Sequence, residues 1–175
     1  GDVDWTYDYH IMMNEFRRQP KICGWLYTEH HDVINEWNGY YRYDRSEKIT
    51  GLDALAPGMT VADLHSPYYI STGDQLCREA KPGETVEVPL FASFLTDRAP
   101  GEKLLLRSEL YGWNNLGQRE TYQQSSQPIT FEPWMARDLP LLKTTMPSRP
   151  ALAILALSLE NEAGAELQRN FITFL

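Results

Sequence analysis

The residues whose types could do chemistry follow directly after an apolar run at residues 22–27. Carboxylates and histidines occupy residues 29–32, and residues 35–45 add further carboxylates, asparagines and aromatic rings. Side chains of these types can hold a metal ion, cleave a glycosidic bond or bind a sugar. Each of these three chemistries demands a different geometry.

A metal site is the first of the three. Glu29, His30, His31 and Asp32 are ligand types that zinc and iron accept. Adjacent residues of an extended segment point to opposite sides, and no third, distant ligand is evident. No glycine-rich phosphate loop and no serine or cysteine nucleophile motif is present either. The sequence therefore predicts no metal and no cofactor.

Glycoside hydrolysis is the second. It needs two carboxyl groups about 5–9 Å apart across the scissile bond. Glu29, Asp32 and Glu36 lie on one loop and could meet that distance. Nothing in the sequence distinguishes an acid from a nucleophile among them. A small complete glycosidase that uses these three residues is therefore an alternative hypothesis and not the leading one.

Sugar binding through aromatic rings is the third. Trp25 and Tyr27 lie inside the apolar run, where packing is favoured over ligand contact. Trp37, Tyr40 and Tyr41 lie in the polar segment. For Trp37, a wall of a substrate pocket and simple packing are equally compatible with the sequence.

The elements that would position these residues begin with a helix. Apolar and aromatic residues at spacings of three and four place one face of a helix toward a core, and Pro20 ends that helix. The members of this face are Trp5, Tyr9, Met12, Met13 and Phe16. The unbroken run at 22–27 then predicts a strand covered on both faces, as in a parallel sheet, with Cys23 as a buried free thiol.

From residue 60 onward the pattern is that of β-strands separated by turns. The predicted strands are 60–64, 68–71, 85–95, 103–113, 118–124, 129–131, 141–145, 151–160 and 166–174. Alternation along two of them places Val86, Val88, Leu90, Ala92 and Phe94 on one face, and Leu104, Leu106, Ser108 and Leu110 on another.

The predicted fold class is therefore mainly β. An immunoglobulin-like antiparallel β-sandwich at 60–175 follows a short α/β segment at 1–50, made of one helix and one or two strands. Residues 51–59 form the junction. Within the loop that follows the strand at 22–27, binding residues are expected, because ligands bind at the carboxyl ends of strands in α/β folds.

Composition and charge argue against nucleic acid as a partner and against a membrane span. Hydrophobic residues make up 42% and charged residues 23%, as in an ordinary globular protein, and the formal net charge is −8. No stripe of lysine and arginine is present, which argues against nucleic acid as a partner. No apolar run reaches the length of about 18 residues that would span a bilayer.

A longer pattern connects residues 24–45 to a known family. It consists of Tyr27-Thr28, Asp32-Val33, a Glu36 two residues before Asn38-Gly39, and a closing Tyr43-Asp44-Arg45. This string resembles glycoside hydrolase family 2, the relatives of β-galactosidase and β-glucuronidase. Residues 20–45 look like the eighth strand of the family's TIM barrel and the loop after it, and residues 170–174 look like the end of the following sandwich.

The resemblance implies a role for the chain. The family's two catalytic glutamates lie at the ends of barrel strands four and seven, which this chain lacks, so no catalytic residue is expected in it. It would be the non-catalytic C-terminal portion of a glycosidase whose partner is carbohydrate. By resemblance, five residues line the rim of the sugar pocket, with glutamate at position 29 where many relatives have glutamine. They are Tyr27, Glu29, Asp32, Trp37 and Asn38.

Two further expectations follow. The alternative class is a free-standing β-sandwich module that binds carbohydrate or protein. In addition, a single α/β repeat cannot cover its own apolar surface, so residues 5–28 either fold back on the sandwich or pair with a second copy of the chain. Self-association is favoured, because the run at 22–27 lacks the charges or proline that usually protect an edge.

Overall fold

Alternation of apolar and polar side chains along the second part of the chain produces two packed sheets. A computed structural model describes residues 4–175. The helices are α1 (Thr6–Arg18), α2 (Leu52–Leu55) and α3 (Val61–Leu64). The strands are β1 (Tyr68–Ser71), β2 (Cys77–Arg78), β3 (Thr85–Phe94), β4 (Lys103–Trp113), β5 (Arg119–Thr130), β6 (Ala136–Thr145), β7 (Ala153–Asn161) and β8 (Glu166–Phe174).

The two sheets confirm the predicted mainly-β sandwich. One sheet has the order β1-β3-β6 and the other the order β2-β8-β7-β4-β5. Neighbouring strands are antiparallel, with the exception of the short β2, which runs parallel to β8. Among residues 4–175, no helix is both long and apolar enough to cross a membrane.

The two predicted core faces meet between the sheets. Every residue of both faces is at most 7% exposed, from Val88 and Leu110 at 0% to Ser108 at 7%. Burial of each large apolar side chain stabilises the fold by about 1.5–3 kcal/mol. The alternation in the sequence therefore identified the core correctly.

Several predicted strand limits were wrong. Residues 60–64 form α3 and not a strand, because Thr60 and Asp63 form a capping box. The Thr60 hydroxyl accepts from the Ala62 amide at 3.2 Å, and the Asp63 carboxylate accepts from the Thr60 amide at 2.7 Å. The predicted strands 118–124 and 129–131 are parts of the single strand β5, and the two-residue β2 was missed.

The apolar run at 22–27 does not form the predicted strand. Leu26 is 91% exposed and Cys23 is exposed, so the prediction of a buried thiol was also wrong. An apolar run of this kind is buried only where strands flank it. Within residues 4–175, no strand lies beside residues 22–27. The helix of the predicted α/β segment is present, but its strand is reduced to isolated bridges further along, such as His31 with Tyr41.

Helix α1 folds back on the sandwich, which was one of the two expected outcomes. Tyr9 and Met13 are 3% and 0% exposed. They join a second apolar cluster that includes Tyr69 of β1 and Phe171 of β8. The predicted helix face was partly wrong, because Met12 is 40% exposed while polar residues of α1 are buried in its place.

The buried polar residues of α1 bind both sheets at once. His10 Nε2 donates to Asn170 Oδ1 at 2.6 Å, and Asn170 Nδ2 donates to the Ile70 carbonyl at 2.7 Å. The Tyr69 hydroxyl donates to Asn14 Oδ1 at 2.8 Å. These side-chain bonds connect α1, β1 and β8 where the two sheets meet, and we call His10, Asn14, Tyr69 and Asn170 the polar junction.

The polar junction makes the stability of the fold dependent on pH. Burial lowers the pKa of His10 from 6.5 to about 4, and its Nδ1 has no partner among the described residues. Because the folded state disfavours the protonated ring, the contribution of His10 is complete above pH 6.5 and is lost as the pH falls toward 4. We expect a loss of about 3 kcal/mol across this window, at about 1.4 kcal/mol per tenfold change in proton affinity.

Urea unfolding at several pH values gives the free energy of unfolding as a function of pH. Because carboxylates titrate in the same range, the contribution of His10 is read from the difference between the wild type and a variant without this histidine. His10→Gln should flatten the slope between pH 6.5 and 4. His30→Gln, at an exposed position of the loop, is the matched control and should keep the slope. Equal slopes in the wild type and His10→Gln would contradict the assignment.

Candidate functional site

The polar segment that follows the apolar run folds into an ordered loop, which we call the loop 27–48. Its two halves are joined by backbone hydrogen bonds. The Asp32 amide donates to the Tyr41 carbonyl at 2.9 Å, and the Tyr40 amide donates to the Glu29 carbonyl at 3.2 Å. These bonds place residues 28–32 beside residues 39–42.

A buried ion pair holds the inside of this loop. The Lys48 ammonium lies 2.6 Å from Asp32 Oδ1, and their side chains are 5% and 3% exposed. Lys48 also donates to the Trp37 carbonyl at 2.9 Å, and Asp32 accepts from the Gly39 amide at 2.9 Å. Asp32 therefore fixes the backbone around Trp37 and is not available to a ligand.

Gly39 is required by the close approach of the two halves. A Cβ at this position would lie 2.3 Å from the carbonyl carbon of His31 and 2.4 Å from the amide nitrogen of Asp32. Backbone atoms cannot yield at such distances, so any other residue would separate the two halves. The Asn38-Gly39 pair noted in the sequence is explained by this contact.

The other predicted site residues divide into supporting and exposed groups. The Tyr27 hydroxyl donates to the Asn38 carbonyl, and Asn38 Nδ2 donates to the Thr28 carbonyl at 2.9 Å. Glu29 is half-buried, and its Oε1 has no partner among the described residues. Trp37 is 67% exposed. Of the five predicted site residues, Trp37 thus presents the most accessible ring to a ligand.

The carboxylates of the loop do not share one environment. Asp32 is buried against Lys48, whereas Glu36 is exposed. This arrangement gives no support to a catalytic set made of Glu29, Asp32 and Glu36. Within residues 4–175, no group of three or more histidine, cysteine, aspartate or glutamate side chains is placed to hold a metal ion.

An aromatic cluster connects the loop to the rest of the protein. The Tyr27 ring stacks on both Trp5 and Tyr40, with ring centroids 5.6 and 4.3 Å away, and Trp5 and Tyr40 are in contact with each other at 5.5 Å. The hydroxyls of Tyr9 and Tyr40 are 2.9 Å apart, and they lie 3.0 and 2.9 Å from His65 Nε2. Helix α1, the loop and the end of α3 meet in this cluster.

The aromatic cluster favours neutral side chains. Burial raises the pKa of Tyr9, Tyr27 and Tyr40 above the ordinary value of 10. Burial, followed by the positive charge of Arg17, lowers the pKa of His65 below 6.5. At neutral pH the cluster therefore holds no ionised ring. It is suited to packing and hydrogen bonding.

Sequence reasoning missed Lys48 and His65. Lys48 lies 16 positions after Asp32, and His65 lies 25 positions after Tyr40, directly after the strand predicted at 60–64. An isolated lysine or histidine carries no pattern that identifies its partner. The sequence analysis therefore offered no signal for these two contacts.

One large cavity lies elsewhere, on the outer face of the five-stranded sheet. It has a volume of about 540 Å³ and is lined largely by polar residues of β4, β5, β7 and β8. Its arginines are already paired. Arg107 lies 2.8 Å from Glu160, Arg119 lies 3.2 Å from Glu109, and Arg169 contacts Glu166. The charges that line this cavity therefore satisfy one another.

Comparison with known proteins identifies no family. No protein-family model matches the sequence, and no curated protein matches it. Among solved structures, the sporulation control protein Spo0M of Bacillus subtilis aligns with 62% of this chain at 12% identity and a TM-score of 0.38. The DNA glycosylase AlkC of Pseudomonas fluorescens, solved on DNA with an abasic-site analogue, aligns with 63% at 10% identity and a TM-score of 0.39. The aligned parts span 47% and 31% of those two chains.

The buried ion pair of the loop gives a direct prediction. Lys48→Met leaves the Asp32 carboxylate buried without its cation, a change that costs about 3–5 kcal/mol in comparable pairs. We expect the Gly39 amide, which donates to Asp32, to exchange with solvent at least about tenfold faster. Hydrogen exchange followed by NMR measures this rate.

Lys143→Met is the matched control for this experiment. Lys143 pairs with Glu87 at 2.9 Å, but both side chains are at least half exposed. Its loss should therefore change stability by no more than about 0.5–1 kcal/mol and leave the Gly39 amide unaffected. An unchanged Gly39 exchange rate in Lys48→Met would show that the ion pair does not hold the loop.

Proposed function

We propose that this chain is the non-catalytic C-terminal portion of a family 2 glycoside hydrolase and that the loop 27–48 lines its sugar pocket. The observation that carries the proposal is the exposed ring of Trp37, 67% accessible, on a loop whose backbone is fixed from inside by Asp32 and Lys48. A rigid aromatic ring provides a flat apolar surface at low entropic cost. The C–H face of a sugar ring is complementary to such a surface.

The roles of the five residues differ in this proposal. Trp37 contacts the sugar. Tyr27, Asp32 and Asn38 position the loop through the hydrogen bonds described above, and they act on the ligand only through Trp37 and the backbone. Glu29 is half-buried, and its Oε1 is buried without a partner among the described residues, so this oxygen is given no contact with the sugar.

The chain by itself should be catalytically inactive. Of the three candidate carboxylates of the loop, Asp32 is held in a buried ion pair, Glu29 is half-buried and Glu36 is exposed, so the three do not form a matched acid and nucleophile. We expect no turnover of nitrophenyl β-glycosides above the uncatalysed rate, measured by release of nitrophenolate. Turnover that disappears in Glu29→Gln would contradict this and favour the small complete glycosidase.

The sugar-pocket role is tested in the complete gene product. The coding sequence upstream of Gly1 should encode a barrel with two glutamates at the ends of strands, and the full-length enzyme should hydrolyse a β-glycoside. Trp37→Ala should then raise KM by about tenfold, which corresponds to about 1.4 kcal/mol of lost stacking, with a smaller change in kcat.

Trp134→Ala is the matched control. Trp134 is a tryptophan of the sandwich that is 63% exposed and lies outside the loop. Its substitution should leave both kinetic constants unchanged. An unchanged KM in Trp37→Ala would remove the loop from the sugar pocket, and an upstream sequence without a barrel would remove the proposal altogether.

A second candidate is a free-standing module that binds carbohydrate or protein. The cavity of about 540 Å³ on the outer face of the five-stranded sheet favours it, because that surface is large enough for a ligand and rich in hydrogen-bonding groups. Its paired arginines weaken the case for a charged ligand. Glycan-array binding by the isolated chain that survives Trp37→Ala would favour this candidate.

We keep self-association as a proposal for only a part of residues 5–28. The sandwich covers Tyr9 and Met13, so this part of the helix needs no second copy. Leu26, at 91% exposed, is the apolar side chain that a second copy or the barrel of a longer chain would cover.

A further inference from the structure

The sequence contains a single Asn-Gly pair, Asn38-Gly39. Asparagine is among the thermally least stable residues of a protein, because the backbone nitrogen of the next residue can attack its side-chain carbonyl. Glycine in that next position has no side chain to hinder the attack, and it leaves the backbone free to turn. The pair lies in the loop 27–48, so the conformation of the loop bears on this reaction.

The reaction is hydrolysis of the Asn38 amide by way of a cyclic imide. Hydroxide removes the amide proton of Gly39, and the Gly39 nitrogen forms a bond with Cγ of Asn38. The bond between Cγ and Nδ2 breaks, and Nδ2 leaves as ammonia after it takes up a proton from water. Water then opens the imide at either of its carbonyl carbons, which gives aspartate or isoaspartate at position 38. The amide and water are consumed, a carboxyl group and ammonia are formed, and nothing is oxidised or reduced.

The closed loop holds the groups that take part in this reaction. The Gly39 amide donates to Asp32 Oδ1 at 2.9 Å, and Asn38 Nδ2 donates to the Thr28 carbonyl at 2.9 Å. The Asn38 carbonyl accepts from the Tyr27 hydroxyl. Loss of the Gly39 proton removes the first of these bonds, and departure of Nδ2 removes the second. The reaction in the closed loop therefore costs hydrogen bonds that an open loop has already given up.

Solvent base has no access to the Gly39 amide while the loop is closed. Gly39 is buried, and the side chain of Asp32, which accepts its proton, is 3% exposed. An added Cβ on Gly39 would lie 2.3 Å from the His31 carbonyl carbon, because the two halves of the loop meet closely there. Asn38, by contrast, is exposed. Access to the Gly39 nitrogen is therefore what an opening of the loop changes.

We propose that Asn38 is a modification site, at which the amide is hydrolysed to aspartate or isoaspartate when the loop 27–48 opens, and that the closed loop suppresses the reaction. The product lacks the Nδ2 donor of the bond to the Thr28 carbonyl, and it places a negative charge beside that carbonyl oxygen. Isoaspartate also lengthens the backbone by a methylene group where the two halves meet. The modified loop therefore does not close as before. The inference does not rest on the proposed function.

The test compares the rate of amide hydrolysis in native buffer and in urea, both at the same mildly alkaline pH. Trypsin cleavage after Lys21 and Arg42 gives the peptide 22–42, in which fragmentation by mass spectrometry assigns the change from amide to acid to position 38. The rate at Asn38 should be at least about tenfold lower in native buffer than in urea. Asn115 is the internal reference, because it is exposed in a turn and the next residue has a side chain. Its rate should differ less between the two conditions.

Lys48→Met removes the cation of the buried ion pair and should raise the rate at Asn38 in native buffer at least about tenfold, without change at Asn115. Lys143→Met is the matched control and should change neither rate, because its ion pair is exposed. Equal rates at Asn38 in native buffer and in urea overturn the inference. So does an unchanged rate in a Lys48→Met chain whose Gly39 amide exchanges faster. The first comparison uses the wild-type chain and holds even if Lys48→Met does not fold.

Discussion

The structure depends on the polar junction between α1 and the two sheets. Asn170 is fully buried, and its amide binds His10 of α1 and the Ile70 carbonyl of β1 from its own position on β8. The strands β1 and β8 belong to different sheets, so no backbone ladder joins them. Side chains of β8 replace that ladder, because Gln168 also accepts from the Ile70 amide at 3.3 Å. Without these bonds, the buried polar groups would be unsatisfied and α1 would no longer be held against the two sheets.

The position of the candidate site follows from this junction. Once α1 is fixed, Tyr9 meets Tyr40 and His65, and Trp5 stacks on Tyr27. The loop 27–48 is therefore held against the sandwich although its preceding apolar run forms no strand. The loop combines a buried ion pair on its inside with the exposed ring of Trp37, and the proposed sugar contact rests on this contrast. The same helix places the guanidinium carbon of Arg17 4.5 Å from the ring centroid of Trp25.

The sequence predicted the sandwich well because its signal is local. Alternation from Val86 to Phe94 and from Leu104 to Leu110 marks which side chains face the other sheet, and the structure buries them all. The prediction of a strand at 22–27 was wrong for a related reason. Six apolar residues in a row indicate burial only if other strands flank them, and the flanking strands are not local information. Likewise, Thr60 by itself favours a strand, and only its capping box with Asp63 places it at the start of a helix.

By itself, the sequence determined the fold class, the core faces, the helix at the N-terminal end and the segment that forms the loop. Only the tertiary structure decided that α1 packs through His10 and Asn14, that Lys48 neutralises Asp32, and that Arg17 is buried with no acidic partner among residues 4–175. The physical reason is distance along the chain. Strand alternation repeats every two residues, whereas His10 and Asn170 are 160 positions apart, and the burial of a polar side chain is stable only when such a distant partner satisfies it.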